Sequence, residues 1–278
     1  MNSIDFVKMN GAGNDFILID SQKNKNFNPN PEIIRKMCDR RKGIGADGIL
    51  CIEKKSSKDF TLEYYNSDGS LGSLCGNGAR CSIKYAFENL NIKSDLTNFL
   101  CNNEVYSGKI EKDGEITFNL GLPQNIKLDI PISLENFKLI GHFANTGSPH
   151  VVIFWDEISK YFNSEFNEFD VFNIGRKIRN AKEFSPEGTN VNIIMKENDQ
   201  LYIRTYERGV EDETLACGTG TVASAIISYL KLGIKPPIEF NTYGKDKLFV
   251  NFVENNNKFS KISLTGPAKI NYIGTYNF

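Results

Sequence analysis

The chain has 278 residues, enough at roughly 100–200 residues per domain for two domains that each bury a core. With 33 Lys+Arg against 34 Asp+Glu the formal net charge is −1, so no bulk charge draws it to nucleic acid or to an anionic membrane. Residues 1 to 20 lack a basic region followed by an apolar core, and no apolar run approaches the roughly 20 residues that span a bilayer; a cytoplasmic protein with a small-molecule partner is expected.

Along the chain, apolar turn-bounded runs predict strands over 4–8 and 16–20, then a helix opened by Pro31 and running to about Arg41. Strands follow over 48–53 and 60–65, with a polar hairpin tip from Glu53 to Asp59. After Cys75 the residues Ala79, Ile83, Ala86, Phe87 and Leu90 recur at helical spacing. A strand over 115–120 precedes a short crossing segment between domains, placed near 121 to 135. The second half has strands over 150–155, 191–196 and 201–206, and a helix that Asp170 caps, running to about Lys182. Val222, Ala223, Ile226, Ile227 and Leu230 form a helix after Cys217 that stops at Gly233, ahead of Pro236 and Pro237. Strands over 247–253 and 260–265, with a hairpin tip from Glu254 to Lys258, complete the chain. So many short strands favour curled, mainly antiparallel sheets, each wrapped around a central helix.

The order of landmarks repeats. Asn10-Gly-Ala-Gly-Asn-Asp-Phe-Ile-Leu-Ile-Asp20 is matched by Asn145-Thr-Gly-Ser-Pro-His-Val-Val-Ile-Phe-Trp-Asp156, and Gly45-Ala-Asp47 by Gly188-Thr-Asn190. Cys75-Gly-Asn-Gly78 is matched by Cys217-Gly-Thr-Gly220. Gly45 lies 30 positions before Cys75, and Gly188 lies 29 before Cys217. A period this long is a domain duplication. The expected architecture is α/β (α+β), with two pseudo-symmetric domains: 1–122 joined by a C-terminal strand at 266–278, and 123–265.

A cysteine just ahead of a helix faces the unpaired N–H groups of the first turn, which favour thiolate over thiol, and the glycines let those amides approach a bound carboxylate. Two such turns suggest a substrate carboxylate gripped between two helix ends with a sulfur on each side. A thiolate on one face removes an α-proton while the opposite thiol supplies one, inverting the carbon. Neither metal nor pyridoxal is called for. Amide dipoles aimed at the carboxylate take up its growing charge.

The six cysteines (38, 51, 75, 81, 101 and 217) include no Cys-x-x-Cys, and there are only two histidines, so a zinc site is not expected and a reducing compartment is. Cys38, Cys51, Cys81 and Cys101 sit in apolar segments and read as core. Glu207-Arg208 stands ten and nine positions ahead of Cys217, where the arginine can hold a carboxylate through paired hydrogen bonds; without the adjoining motif it reads as a surface ion pair. Asn14, Asn66 and Asn190 are placed to bind an amino acid's ammonium and carboxylate groups, although each alone is an ordinary turn residue. His150 is a candidate for tuning a thiol, with a satisfied structural histidine as the alternative; His142 reads as structural.

Taken together, Met9-Asn-Gly-Ala-Gly-Asn-Asp-Phe16, Gly43-Ile-Gly-Ala-Asp47, Asn66-Ser-Asp-Gly-Ser70, Cys75-Gly-Asn-Gly-Ala-Arg-Cys81, Asn145-Thr-Gly-Ser-Pro-His150, Thr189-Asn190, Glu207-Arg-Gly-Val-Glu-Asp-Glu-Thr214 and Ala216-Cys-Gly-Thr-Gly-Thr221 resemble the diaminopimelate epimerases over essentially the whole chain. The resemblance implies interconversion of LL- and meso-diaminopimelate on the route to lysine, without cofactor, with Cys75 and Cys217 as the acid/base pair. It also implies substrate contacts from Asn14, Asn66, Gly76, Asn77, Asn190, Glu207, Arg208, Gly218 and Thr219, an influence of His150 and Glu207 on the thiols, and a homodimer. Ser148 stands where many members carry Asn, and Gly48 where some carry Gln. Proline and hydroxyproline racemases, the nearest rival, usually read Cys-Gly-His-Gly and Pro-Cys-Gly-Thr-Gly, against Asn77 and Ala216 here. A thiol redox sensor would leave Glu207-Arg208 and the asparagines unexplained.

Overall fold

A computed structural model describes residues 3–55, 58–72, 74–256 and 258–277. The chain divides into two compact units, Met1–Asn119 with Thr265–Phe278, and Leu120–Leu264. No helix among the described residues is long and apolar enough to cross a membrane.

The first unit comprises β1 (Ser3–Gly11), β2 (Asn14–Asp20), α1 (Pro31–Cys38), β3 (Gly48–Lys54), β4 (Phe60–Asn66), α2 (Gly76–Asn89), β5 (Thr97–Cys101), β6 (Glu104–Ile110) and β7 (Ile116–Asn119). The final strand, Lys269–Asn277, pairs antiparallel with β1. From β1 the ladder passes antiparallel to β2, parallel to β3, antiparallel to β4, parallel to β5, then antiparallel through β6 and β7. The parallel steps occur where α1 and α2 cross between strands, because parallel neighbours need a long return connection.

The second unit repeats this plan with β8 (Gln124–Ser133), β9 (Lys138–Asn145), β10 (Pro149–Phe154), α3 (Trp155–Ser159), α4 (Val171–Arg179), β11 (Asn190–Glu197), β12 (Gln200–Glu207), β13 (Asp212–Thr214), α5 (Gly218–Leu232), β14 (Ile238–Thr242), β15 (Lys247–Asn255) and β16 (Lys258–Gly266). Here β10 pairs parallel with β11 across α3 and α4, and β12 parallel with β14 across α5, with the β8–β9, β9–β10, β11–β12 and β14–β15 neighbours antiparallel. The sheets are therefore mainly antiparallel, and a parallel step stands at the same two places in each unit.

Each sheet is covered on both faces, so its inner strands are buried on both sides. In β2, Ile17 and Ile19 join the core under α1 with Ile33, Ile34 and Met37, while Phe16 lies against the first turn of α2 at Gly78. In β10, Val151 and Ile153 join a core with Ile174 and Ile178 of α4, and the alternate residues face α5. The central helices α2 and α5 are buried around most of their circumference, as expected of helices wrapped by a sheet. Small residues allow this: an added Cβ on Gly11 would lie 2.7 Å from the Asn77 carbonyl oxygen, so β1 presses against the first turn of α2.

Four expectations need correction. The first helix ends at Cys38, not near Arg41, because the chain folds back and the amides of Ile44 and Gly45 bond to the Met37 carbonyl. The helix capped by Asp170 ends at Arg179, with Asn180 as its C-cap. Trp155 opens α3 and does not extend the preceding strand. The segment near 121 to 135 is no simple crossing, since it contains the ten-residue strand β8. The hairpin tips placed at Glu53–Asp59 and Glu254–Lys258 lie partly outside the described residues. Gly233 ends α5 in the left-handed conformation at φ 69°, which glycine adopts without penalty.

Candidate active site

In the first unit Cys75 is the N-cap of α2, and its Sγ accepts the Gly78 N–H at 3.2 Å. Sulfur thus takes the place of the usual capping oxygen and sits among the orphan amides of the first turn, where negative charge is favoured. The Asn77 side chain, almost fully buried, donates to Asn14 Oδ1 at 2.6 Å and accepts from Arg80 at 2.8 Å. Asn14 in turn donates to Asp47 Oδ2 at 2.9 Å. Arg40 spans Asp15 and Asp47 at 2.7 and 2.6 Å, and Lys8 pairs with Asp15 at 2.6 Å. Burial raises the Asp15 pKa, but Arg40 and Lys8 outweigh it and hold the carboxyl below the ordinary carboxylate range. Asn66 stands apart from this chain of bonds and donates to Ser70 Oγ at 3.0 Å. Gly48 has a steric reason: a Cβ there would lie 2.4 Å from the Tyr65 carbonyl oxygen and 2.5 Å from the Tyr64 ring.

In the second unit Cys217 is the N-cap of α5 and is buried. Strand alternation places His150 on β10 and Asn190 and Asn192 on β11 on the face towards α5, with His150 opposite Asn190 in the parallel register. His150 Nε2 lies 2.9 Å from both Ser148 Oγ and Thr219 Oγ1, and Thr219 Oγ1 lies 3.6 Å from Cys217 Sγ. Burial, with Arg208 adding to it, pushes the His150 pKa down to about 3, so the ring is neutral. Asn190 accepts the Arg208 N–H at 2.8 Å and donates to the Pro149 carbonyl at 2.7 Å, tying three loops together. The Arg208 guanidinium donates to the Glu187 carbonyl at 3.2 Å, and Glu207 accepts from Thr214 Oγ1 at 3.1 Å. Ser148 therefore supplies a hydroxyl within the His150 and Thr219 cluster.

The other four cysteines are buried, and burial pushes their thiols up to about 12 at Cys38, Cys51 and Cys81 and about 11 at Cys101. Sequence reasoning missed Asp47 and Arg40 as supports of Asn14, Asn192 and Ser148 as hydrogen-bond partners of His150, and Thr205 as the donor to Asn192. The available signal was Asn192 itself, a polar residue two positions after Asn190 in an otherwise apolar run, which alternation puts on the same face.

The diaminopimelate epimerase family model matches residues 6–126 and 142–270. The diaminopimelate epimerase of Flavobacterium psychrophilum is 40% identical over 266 residues, covering 94% of this chain and 96% of that one. The Aquifex aeolicus protein of the same name is 35% identical over 276 residues, covering 95% of each. Among solved structures, a Bacillus anthracis phenazine biosynthesis protein of the PhzF family has a TM-score of 0.72 at 14% identity, over 100% of both chains. A hydroxyproline epimerase from Agrobacterium vitis, with bound trans-4-hydroxy-L-proline, has a TM-score of 0.72 at 11% identity, over 99% of this chain and 91% of that one. These two likenesses concern the fold. With its family model matched across both units and relatives alike along nearly their whole length, the chain belongs to the diaminopimelate epimerase family.

Proposed function

We propose that this isomerase of diaminopimelate stereoisomers moves the substrate α-proton between the thiols of Cys75 and Cys217. The observation that carries the reading is that each thiol is the N-cap of a buried central helix, with Gly76 and Asn77 following one and Gly218 and Thr219 the other. A thiolate takes the α-proton, the electron pair of the C–H bond passes towards the adjoining carboxylate, and the other thiol gives its proton to the opposite face of the carbon. Repeating the step in reverse returns the starting isomer. First-turn amides are the groups suited to the growing carboxylate charge.

Asn14, Asn66, Asn190, Glu207 and Arg208 are assigned to the substrate's ammonium and carboxylate groups. Asn77 contributes its backbone amide, since its side chain is committed to Asn14 and Arg80. His150 acts through Thr219. The thiols of Cys38, Cys51, Cys81 and Cys101, buried and outside any disulfide, support a place in the reducing cytoplasm. The substrate assignment is tested by offering LL-diaminopimelate, L-proline and trans-4-hydroxy-L-proline to the reduced protein and following each by chiral chromatography. Conversion of diaminopimelate alone is expected, and conversion of either cyclic amino acid at a comparable rate would overturn the assignment.

A further inference from the structure

Asn192 lies in the middle of β11, fully buried, with its side chain on the α5 face. Its amide can point only one way. Nδ2 lies 3.1 Å from the Val151 carbonyl, which can only accept, and Oδ1 lies 3.1 Å from Thr205 Oγ1, which can donate. The same Nδ2 lies 3.1 Å from His150 Nδ1. An N–H therefore faces Nδ1, which must be the acceptor, and the single proton of the neutral ring is on Nε2.

That proton has two oxygens within reach, Ser148 Oγ and Thr219 Oγ1, both at 2.9 Å. A Thr219 oxygen that accepts from Nε2–H has its own hydrogen left to donate, and Cys217 Sγ at 3.6 Å and Ser148 Oγ at 3.3 Å are the acceptors in reach; a thiolate at Cys217 is the stronger draw because it is charged. In the opposite tautomer Nε2 would itself accept, draw the Thr219 hydrogen away and leave lone pairs facing the sulfur. The direction of the hydrogen bonds thus decides whether Cys217 meets a donor, which suits a thiolate, or an acceptor, which suits a thiol.

We propose that Asn192 is a positioning residue that fixes the His150 tautomer and thereby turns the Thr219 hydroxyl hydrogen towards Cys217. The role rests on Cys217 being one of the two acid/base thiols. The wider surroundings support a ring that keeps this single tautomer. Burial and the charge of Arg208 both disfavour a second proton on His150; on the neighbouring strand β9 the residue opposite it is Ala144, and His142 stands opposite Val152. Gly220 is part of the same device, since a Cβ there would lie 2.2 Å from Asn192 Oδ1 and 3.2 Å from His150 Cε1.

The chain has only two histidines, so ¹⁵N-histidine NMR reads the tautomer directly, without substrate. The expected wild-type result at pH 7.5 is His150 protonated at Nε2 and bare at Nδ1. Asn192→Asp, which replaces the donor with an acceptor, should move the proton to Nδ1. Alkylation of Cys217 by iodoacetamide, followed by mass spectrometry across pH, should then require a pH about one unit higher, an approximately tenfold lower rate near neutrality, as expected for a lost hydrogen bond to a charged group. Thr219→Val should show the same shift with the tautomer unchanged, and Thr219→Ser should restore wild-type behaviour. A wild-type ring protonated at Nδ1 would overturn the proposal, even if Asn192→Asp fails to fold. So would a reversed tautomer in Asn192→Asp with no change in Cys217 alkylation. Neither readout uses substrate, so failure here is distinct from failure of the two-thiol reading, which substrate exchange by the Cys217→Ala variant tests.

Discussion

Acidification from pH 7.5 to pH 5 puts a direct strain on His150. In the unfolded chain its imidazole has a pKa of about 6.5 and takes up a proton over this range, whereas in the folded chain burial holds the pKa at about 3. The unfolded state therefore binds more protons between these values, and stability rises with pH across the window and falls as pH drops below 6.5. At 1.36 kcal/mol per pH unit, the loss on reaching pH 5 is about 2 kcal/mol. Asp15, Asp39, Asp68, Asp129 and Asp170 all have lowered pKa values, so they stay charged above pH 5 and do not confuse the comparison. His142, also lowered by burial, acts in the same direction, and the informative quantity is the difference between wild type and His150→Gln. Urea denaturation of both proteins at the two pH values should show the wild type losing about 2 kcal/mol more than the variant. An NMR titration in which His150 protonates near pH 6.5 would refute the reasoning, and it remains decisive if the variant does not fold.

Other perturbations follow from particular contacts. Gly11→Ala drives a Cβ into the Asn77 carbonyl at 2.7 Å and should lower stability by about 1–3 kcal/mol in urea denaturation, with wild-type stability counting against the packing described. Arg204 makes paired bonds of 2.6 and 2.7 Å to Glu213 and is almost fully buried; Glu213→Ala strands that charge and should cost about 3–5 kcal/mol, read from the urea midpoint. Brief alkylation at pH 8 with mass spectrometry should label Cys75, which is partly exposed, well ahead of Cys38, Cys51, Cys81 and Cys101. Asp47→Ala frees the Asn14 amide from its 2.9 Å bond and should raise KM severalfold, measured by steady-state kinetics, while leaving the thiols' alkylation profiles in place.

What was legible in the sequence followed from local chemistry. The apolar runs of β2, β3, β10 and β11 and the two Cys-Gly-x-Gly turns announced inner strands and buried helices, because alternation, small residues and capping positions act over a few residues. The C-terminal strand expected at 266–278 stands at Lys269–Asn277, whereas β8 went unseen: its Ile126, Leu128, Ile130 and Ile132 alternate, but most of its side chains are exposed and Pro131 interrupts the run, so pairing with β9 is what makes it a strand. The end of α1 was misjudged because Met37 accepts from residues that fold back upon it, a tertiary event. In the candidate site, the cysteines, asparagines and His150 were visible as motif residues. The supports were not, since Arg40 reaches Asp15 and Asp47, and Asn192 reaches His150 across 42 positions, only once the sheets are built.

The central claim is that two thiols exchange the α-proton, and proton NMR of LL-diaminopimelate in deuterated water tests it most directly. Reduced wild-type protein should erase the α-proton signal as the meso isomer appears, and Cys75→Ala and Cys217→Ala should each do neither at a comparable rate. Isomerisation that persists at the wild-type rate in either variant would contradict the account.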